Sequence, residues 1–239
     1  MNIILIYFSI KYKGDWDKIY KALEVKEKVT LKEITILEEK MKEKKWELIT
    51  IIDKEYPSPL KQAYKPPFVI WLKGNKELIK NKFIALTGNQ VDKMAKERIG
   101  KFVPEINKSY SIITASYKGI DKEVLEVEND GHMHVLASGI EDSYLKSTIK
   151  DLIITEYPPT TKVSKDRLRN RNRIIAAFAK SLILFTSIKD GPINNLITNF
   201  LNLGKEIYCF PGDGSLEDGN SELIKQGANL ITGIKDISN

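Results

Sequence analysis

Four closely spaced arginines are the residues of this sequence best suited to bind an anion. Arg167, Arg169, Arg171 and Arg173 lie within seven residues, although only five of the 38 basic residues of the chain are arginine. A guanidinium binds phosphate or carboxylate through two parallel hydrogen bonds, which a lysine ammonium cannot do. The cluster therefore indicates either an anion-binding surface or a set of structural pairs with carboxylates and backbone carbonyls.

The charge of the chain is concentrated in the same stretch. The whole protein has a formal net charge of +6 and a pI near 9.1. Residues 160–180 contain seven basic residues and one acidic residue, so this stretch alone carries a net charge of +6. Such a local excess is typical of a track that neutralises nucleic-acid phosphates.

Aromatic residues lie close to predicted strand ends and could complete a single-stranded nucleic-acid site. Such sites combine cations for phosphates with aromatic faces on which bases stack. Lys118 and the four arginines are the predicted phosphate ligands, and Tyr117, Tyr144 and Tyr157 are the predicted base-stacking residues. The alternative for each tyrosine is an ordinary packing role.

The residues that could support catalysis or bind a metal are few. A single cysteine, Cys209, excludes a disulfide within the chain, and two histidines with it are too few for a Cys/His zinc site. Cys209 is predicted to be an inert core thiol, and His132 and His134 are predicted to occupy surface or edge positions. We therefore expect no metal, no cofactor and no enzymatic activity.

The chain carries no sign of a membrane or export segment. Its apolar runs are shorter than the roughly 18 residues that a membrane span needs, and Met1 is followed by no basic region or cleavage site. The first eight residues are expected to be a buried element of the fold. A cytoplasmic protein is expected.

The first 66 residues are predicted to form a small, mainly helical accessory domain. Asp15 suits the N-cap of one amphipathic helix, and Thr30 with Glu33 forms a capping-box pattern ahead of a second helix. A strand follows from Glu47 to Ile52. The prolines that end at Pro67 predict a domain boundary, which divides the chain into residues 1–66 and 67–239.

From Phe68 onward, short apolar runs alternate with helical stretches. The predicted strands are 68–72, 83–87, 111–114, 133–137, 152–155, 182–186, 207–210 and 230–231. Most connections have ten or more residues, enough for a crossover helix. This pattern predicts an α/β fold with an extended Rossmann-like, mostly parallel sheet and helices on both faces.

Loops rich in glycine follow several of these strands and should meet at one edge of the sheet. They include Gly88-Asn89-Gln90, Lys118-Gly119 and Asp190-Gly191-Pro192. Helix N-termini at such an edge present backbone N–H groups to anions. Helices are predicted to begin near Val91 and near Arg171, so that the second helix presents arginines from its first turn.

The chain resembles the DprA (Smf) family of DNA-processing proteins. The residues that carry the resemblance occur in the family's order: Tyr56-Pro57-Ser58-Pro59-Leu60, residues 66–75, Ile84-Ala85-Leu86-Thr87-Gly88, Lys118-Gly119-Ile120-Asp121, Glu156-Tyr157-Pro158-Pro159, Arg171-Asn172-Arg173-Ile174-Ile175-Ala176, Phe210-Pro211-Gly212 and residues 219–228. The resemblance implies single-stranded DNA binding, homodimerisation and delivery of incoming DNA to the recombinase RecA during natural transformation. It implies neither catalysis nor a cofactor.

The resemblance also assigns residues of this chain. It places Gly88, Asn89 and Gln90 in the family's phosphate-contacting turn, where the family usually has arginine at the position of Gln90, so a weaker DNA affinity is expected. The family's Ser-Gly-Leu-Ala stretch is replaced by Thr114-Ala115-Ser116-Tyr117. Apolar stretches after Gln90 and over residues 195–203 predict surplus aliphatic surface for a C2 dimer.

Two other functions are compatible with the sequence. One is a nucleotide-binding phosphoribohydrolase related to the lysine-decarboxylase-like (LOG) proteins, although the stretch around Asp190-Gly191-Pro192 has neither the paired glycines nor the glutamate of that family. The other is a dimeric scaffold that contacts a recombinase and binds DNA only weakly.

Overall fold

A nine-stranded sheet forms the centre of the protein. The computed structural model describes residues 2–127, 131–143, 145 and 149–237. The strands are β1 (Glu47–Thr50), β2 (Val69–Gly74), β3 (Phe83–Thr87), β4 (Ser111–Thr114), β5 (Met133–Val135), β6 (Leu152–Thr155), β7 (Ala179–Leu184), β8 (Ile207–Cys209) and β9 (Asn229–Leu230).

Helices connect most of these strands. The α-helices are α1 (Ile3–Lys11), α2 (Trp16–Glu24), α3 (Leu31–Lys44), α4 (Ser58–Lys61), α5 (Lys93–Asn107), α6 (Ile120–Val127), α7 (Lys165–Phe178), α8 (Asn194–Asn202) and α9 (Gly219–Lys225). Short 3₁₀ helices cover Lys76–Lys80, Ile140–Asp142 and Ile234–Asp236. Within the described ranges, no helix is both long enough and apolar enough to cross a membrane.

The strand order confirms the predicted Rossmann-like fold. The strands lie side by side in the order β1-β2-β6-β5-β4-β3-β7-β8-β9. The seven strands from β6 to β9 in this order are parallel, and β1 and β2 are antiparallel additions at one end. The chain runs outward from β3 in one direction and from β7 in the other, so a crevice opens between their carboxyl ends.

Two apolar layers cover the sheet because successive strand residues point to opposite faces. Phe83 and Ala85 of β3 belong to the core formed with α4, α7 and α8. Ile84 and Leu86 of the same strand belong to the core formed with α5 and α6. The helices on both faces thus bury the sheet, as predicted.

The N-terminal helices pack on the antiparallel end of the sheet. Leu5 and Ile6 of α1 contact a cluster that includes Val69 and Trp71 of β2, so the apolar N-terminal run is a buried helix. The capping box of Thr30 predicted for α3 is present. β1 precedes the predicted boundary at residue 66 and pairs with β2, and the division into two domains stays a prediction.

One helix start and one surface on this part of the fold differ from the sequence predictions. α5 begins at Lys93 rather than near Val91, because the Asp92 side chain accepts a hydrogen bond from the Ala95 N–H and caps it. The predicted surplus of aliphatic surface is wrong for most of α5 and α8, whose aliphatic side chains point into the two cores. Met94 and Leu201 are the large apolar side chains that the two helices expose among the described residues.

Candidate nucleic-acid interface

The Gly88-Asn89-Gln90 turn lies at the crevice between β3 and β7. A Cβ at Gly88 would come within 2.8 Å of the Thr186 carbonyl oxygen, so only glycine allows this approach. The Asn89 side chain accepts a hydrogen bond from the Ile188 N–H at 3.0 Å. Gly88 and Asn89 therefore join the two loops, and only Gln90 of the three is exposed.

Helix α7 starts earlier than predicted. Its first residue is Lys165, because Ser164 accepts a hydrogen bond from the Arg167 N–H and caps the helix. Arg171 and Arg173 consequently lie in the middle of α7 and not in its first turn. The prediction that they project from a helix N-terminus is wrong.

Arg171 is almost completely buried, with 1% of its surface exposed. Its Nη1 donates a hydrogen bond of 2.9 Å to the Val135 carbonyl oxygen, and its Nε donates to the Asn172 side chain. The Tyr117 ring lies over the guanidinium at 5.0 Å. Arg171 thus connects α7 to the end of β5 and supports the ring of Tyr117 from below.

Arg173 is buried in a different direction. It forms a two-pronged pair with Glu156, in which both N–O distances are 2.6 Å. Its Nε also donates to the Tyr64 carbonyl oxygen at 3.0 Å. These contacts give the guanidinium of Arg173 hydrogen-bond partners within the protein. Such structural pairs with carboxylates and carbonyls were the alternative that the sequence left open for the arginine cluster.

Two of the predicted stacking residues are unavailable or not described. Tyr157 is 3% exposed, and the Arg167 guanidinium lies over its ring at 5.3 Å, so its prediction as a base platform is wrong. Half-buried Arg167 also donates a hydrogen bond to the Lys162 carbonyl oxygen. Tyr144 lies outside the described residues.

A basic cavity of about 570 Å³ remains on the surface beside α7. It is lined by Tyr117, Lys165, Leu168, Arg169, Asn172, Asp190, Gly191, Pro192 and Asn195. Lys165 and Arg169 are exposed, and Tyr117 is 48% exposed. Half-buried Asn172 donates a hydrogen bond of 2.9 Å to the Asn195 side chain and so links α7 to α8. Lys165 and Asn195 were not among the residues predicted from the sequence.

The buried carboxylate of Asp121 positions the loop that carries Tyr117 and Lys118. It accepts hydrogen bonds from the Thr87 hydroxyl at 2.6 Å, from the Thr114 hydroxyl at 2.9 Å and from the Tyr117 N–H at 3.2 Å. Burial raises the pKa of this carboxyl. Exposed Lys118 and half-buried Gly119, whose φ is +94°, complete the loop. Asp121 was missed as an organising residue, although the Gly119-Ile120-Asp121 sequence signals it.

A second cavity includes Gln90 in its lining and differs from the basic cavity in charge. Its volume is about 280 Å³, and the charged residues in its lining are Asp92, Arg98, Asp213, Glu217 and Asp218. We call it the acidic cavity. Gln90 belongs to this lining and not to that of the basic cavity. Gln90, the exposed residue of the turn that the resemblance assigns to phosphate, therefore shares a cavity with four carboxylates and one arginine.

The two histidines are also placed differently from the prediction. His132 is 2% exposed and His134 is 6% exposed, so both are internal and not at the surface or edge. Among the described residues, no group of three or more His, Cys, Asp or Glu side chains could hold a metal ion. Cys209 is buried as predicted.

Comparison with known proteins agrees with this architecture. The model of the family described as DNA recombination-mediator protein A matches residues 47–239. The DNA processing protein DprA of Streptococcus pneumoniae is 28% identical over 211 residues, which are 81% of this chain and 73% of that protein. DprA of Bacillus subtilis is 30% identical over 209 residues, 79% of this chain and 69% of that protein.

Solved structures share the fold. The X-ray structure of DprA from Streptococcus pneumoniae matches with a TM-score of 0.73 at 22% identity and covers 98% of this chain and 92% of that one. A structure of DprA from Helicobacter pylori, described as showing a single-stranded DNA binding mode, matches with a TM-score of 0.72 at 18% identity. It covers 80% of this chain and 94% of that one.

Proposed function

Because the chain belongs to the DNA recombination-mediator protein A family, we propose that it processes DNA by binding single strands in the basic cavity. The observation that carries this proposal is the exposed pair Lys165 and Arg169 beside the half-exposed ring of Tyr117. Lys118, on the loop that bears Tyr117, adds a further exposed cation. Asn172 and Asn195 line the same cavity and supply neutral hydrogen-bonding groups.

This arrangement favours a single strand over a duplex for a physical reason. Cations attract the phosphates of either form, but an aromatic ring gains stacking energy only from a base whose face is free. The Arg171 guanidinium holds the Tyr117 ring from below, so the ring is fixed before a base arrives. The binding involves no covalent step.

Fluorescence anisotropy with an oligothymidylate of about 20 nucleotides tests the proposal. We expect Lys165→Ala/Arg169→Ala to weaken binding at least tenfold and to lower the slope of log K against log salt by about 1.4, since each lost phosphate contact removes about 0.7. Lys42→Ala/Lys101→Ala removes two exposed lysines of α3 and α5 and is the matched control. Equal losses in both double variants would contradict the proposed site.

The partners of the protein belong to the same proposal. The family resemblance supports a homodimer that protects incoming DNA and helps to load RecA during natural transformation. Light scattering should report about twice the chain mass of 27.3 kDa. The protein should also speed the formation of RecA filaments on DNA single strands that it has coated. A dimer that stimulates RecA without measurable DNA affinity would instead identify the scaffold function.

A further inference from the structure

A serine beyond the end of β4 contacts a histidine of β5, which in turn lies near an aspartate before the start of β6. The Ser116 Oγ lies 2.7 Å from Nδ1 of His134, which is the middle residue of the neighbouring strand β5. The Nε2 of the same imidazole is buried with no hydrogen-bond partner among the described residues, and Oδ2 of Asp151, just before β6, lies 3.7 Å from it, within ion-pair range of a protonated imidazole. The order Ser116, His134, Asp151 is that of a nucleophile, its base and a carboxylate that stabilises the protonated base.

The backbone at Ser116 is unusual for a residue other than glycine. Its φ is +57°, in the left-handed region, and its N–H donates a hydrogen bond of 2.8 Å to the Thr114 hydroxyl. It occupies the turn between β4 and α6 at the carboxyl edge of a parallel sheet. A nucleophile on a strained strand-to-helix turn in this position is raised out of the sheet toward solvent.

Ser116 opens into a cavity that shares Tyr117 and Leu168 with the basic cavity but not its exposed cations, Lys165 and Arg169. This cavity has a volume of about 280 Å³ and apolar walls that include Leu136, Val163 and Leu168. Arg171 lines it as well, and the Arg171 Nη2 is buried with no hydrogen-bond partner among the described residues. An unsatisfied buried donor is costly, and an oxygen that develops negative charge would satisfy it.

We propose that Ser116 is a catalytic nucleophile for a small carboxylic ester, with His134 as its general base and Arg171 as the group that stabilises the oxyanion. The Ser116 Oγ attacks the carbonyl carbon while its proton moves to Nδ1 of His134. The bond to the leaving alcohol breaks, and the alcohol takes that proton. Water then repeats the sequence, which releases the acid and restores Ser116. Asp151 is a positioning residue, because it acts on His134 and not on the substrate.

A fluorophosphonate probe tests the nucleophile directly, since its phosphorus is attacked by an activated serine with loss of fluoride. Intact mass and peptide mapping should show one adduct, on Ser116, and Ser116→Ala should abolish it. His134→Gln should slow labelling by at least about 100-fold, the usual contribution of a general base. Ser109→Ala removes an exposed serine outside this cavity lining and should label at the normal rate.

Further variants test the same proposal if one of these substitutions disturbs folding. Ser116→Cys should react with iodoacetamide faster than Ser116→Cys/His134→Gln. Cys209 should not react, because burial raises the pKa of its thiol to about 12. Asp151→Asn should slow fluorophosphonate labelling and move its pH midpoint downward, which a purely structural role would not do. No adduct on the folded protein, or equal labelling of Ser116→Ala, would overturn the proposal.

Discussion

Arg173 and Glu156 face each other through two parallel hydrogen bonds of 2.6 Å, inside the protein and away from solvent. The same guanidinium donates to the carbonyl oxygens of Tyr64 and Lys65. One side chain therefore ties α7, the end of β6 and the segment that precedes β2. This relationship explains why Glu156-Tyr157-Pro158-Pro159 and Arg171-Asn172-Arg173 belong to one structural unit.

Loss of this pair should destabilise the protein strongly. Arg173→Ala leaves Glu156 buried without its cation, and removal of one partner of a buried pair costs about 3–5 kcal/mol. Urea unfolding should show this decrease in the free energy of unfolding. Arg169→Ala, at an exposed position one turn earlier in the same helix, should change it by less than about 0.5 kcal/mol. A fully stable Arg173→Ala that has lost DNA binding would show that Arg173 contacts DNA.

The secondary structure was predictable because apolar runs and helix caps are local signals. All eight strands predicted after residue 66 exist, and the largest displacement, three residues, is at β7. β7 begins early because α7 ends at Phe178 and the strand follows at Ala179 without a loop. The Lys205 ammonium, which donates to the carbonyl oxygens of Ala176, Ala177 and Ala179, makes this abrupt exit possible. No local pattern marks that long-range contact.

The direction of the arginines was not predictable from their spacing alone. Residues two apart on a helix differ by about 200° in direction, so Arg171 points away from Arg169 and Arg173, which are four residues apart and share one face of α7. Which of these arginines is buried depends on Glu156, Val135 and Tyr64, which come from distant parts of the chain. Arg169 stays exposed, whereas Arg171 and Arg173 become internal. The Ser116, His134 and Asp151 cluster was hidden for the same reason.

Tyr117 should contribute stacking energy to DNA binding. Tyr117→Ala removes the exposed ring above Arg171 and should weaken oligothymidylate binding by about 1–3 kcal/mol, the value of one stacked base. Tyr117→Phe retains the ring and should bind almost normally. Tyr64, which is 74% exposed and outside the basic cavity, supplies the control Tyr64→Ala. Anisotropy titrations at one salt concentration measure all three, and equal affinities of the Phe and Ala variants would exclude stacking.

Asp121 should make stability depend on pH in an unusual direction. Its folded pKa is raised by burial, so the folded state holds this proton more tightly than the unfolded state, whose pKa is about 3.9. The stability that this proton contributes to the folded state is present below about pH 4 and is lost as the pH rises through the folded pKa of Asp121. The stability advantage of the native protein over Asp121→Asn should therefore shrink between about pH 4 and pH 7.

Urea unfolding at both pH values measures this difference. Asp166→Asn alters an exposed carboxylate of α7 and should show no such trend. An advantage over Asp121→Asn that grows with pH would mean that the hydroxyl and N–H donors around Asp121 outweigh the cost of burying its charge.

Lys205 should act as a cap for the C-terminus of α7. Lys205→Met retains the aliphatic stem but removes the donors to three carbonyl oxygens, and we expect a loss of about 1–3 kcal/mol in the free energy of unfolding. Lys225→Met, in the exposed last turn of α9, should be nearly neutral. Thermal unfolding followed by circular dichroism compares the two, and equal midpoints would show that the cap contributes little.

The position of Gln90 permits a matched comparison of the two cavities. Gln90→Arg introduces the arginine that the resemblance places at this position, but the new cation would lie in the acidic cavity with Asp92 and Asp218. Those carboxylates should neutralise it, so single-stranded DNA affinity should change by less than about twofold at moderate salt. Asp190→Asn alters the net charge by the same amount in the basic cavity, and asparagine tolerates the left-handed φ of +53° at this position.

Asp190→Asn should tighten binding and steepen its salt dependence, because it removes the negative charge from the lining that contains Lys165 and Arg169. Anisotropy titrations of both variants at about 50 mM and about 200 mM salt separate the two effects. The order of the two affinities decides which cavity the strand crosses. A Gln90→Arg variant that binds more tightly than Asp190→Asn would place DNA over the acidic cavity and return the phosphate-contacting role to the Gln90 turn.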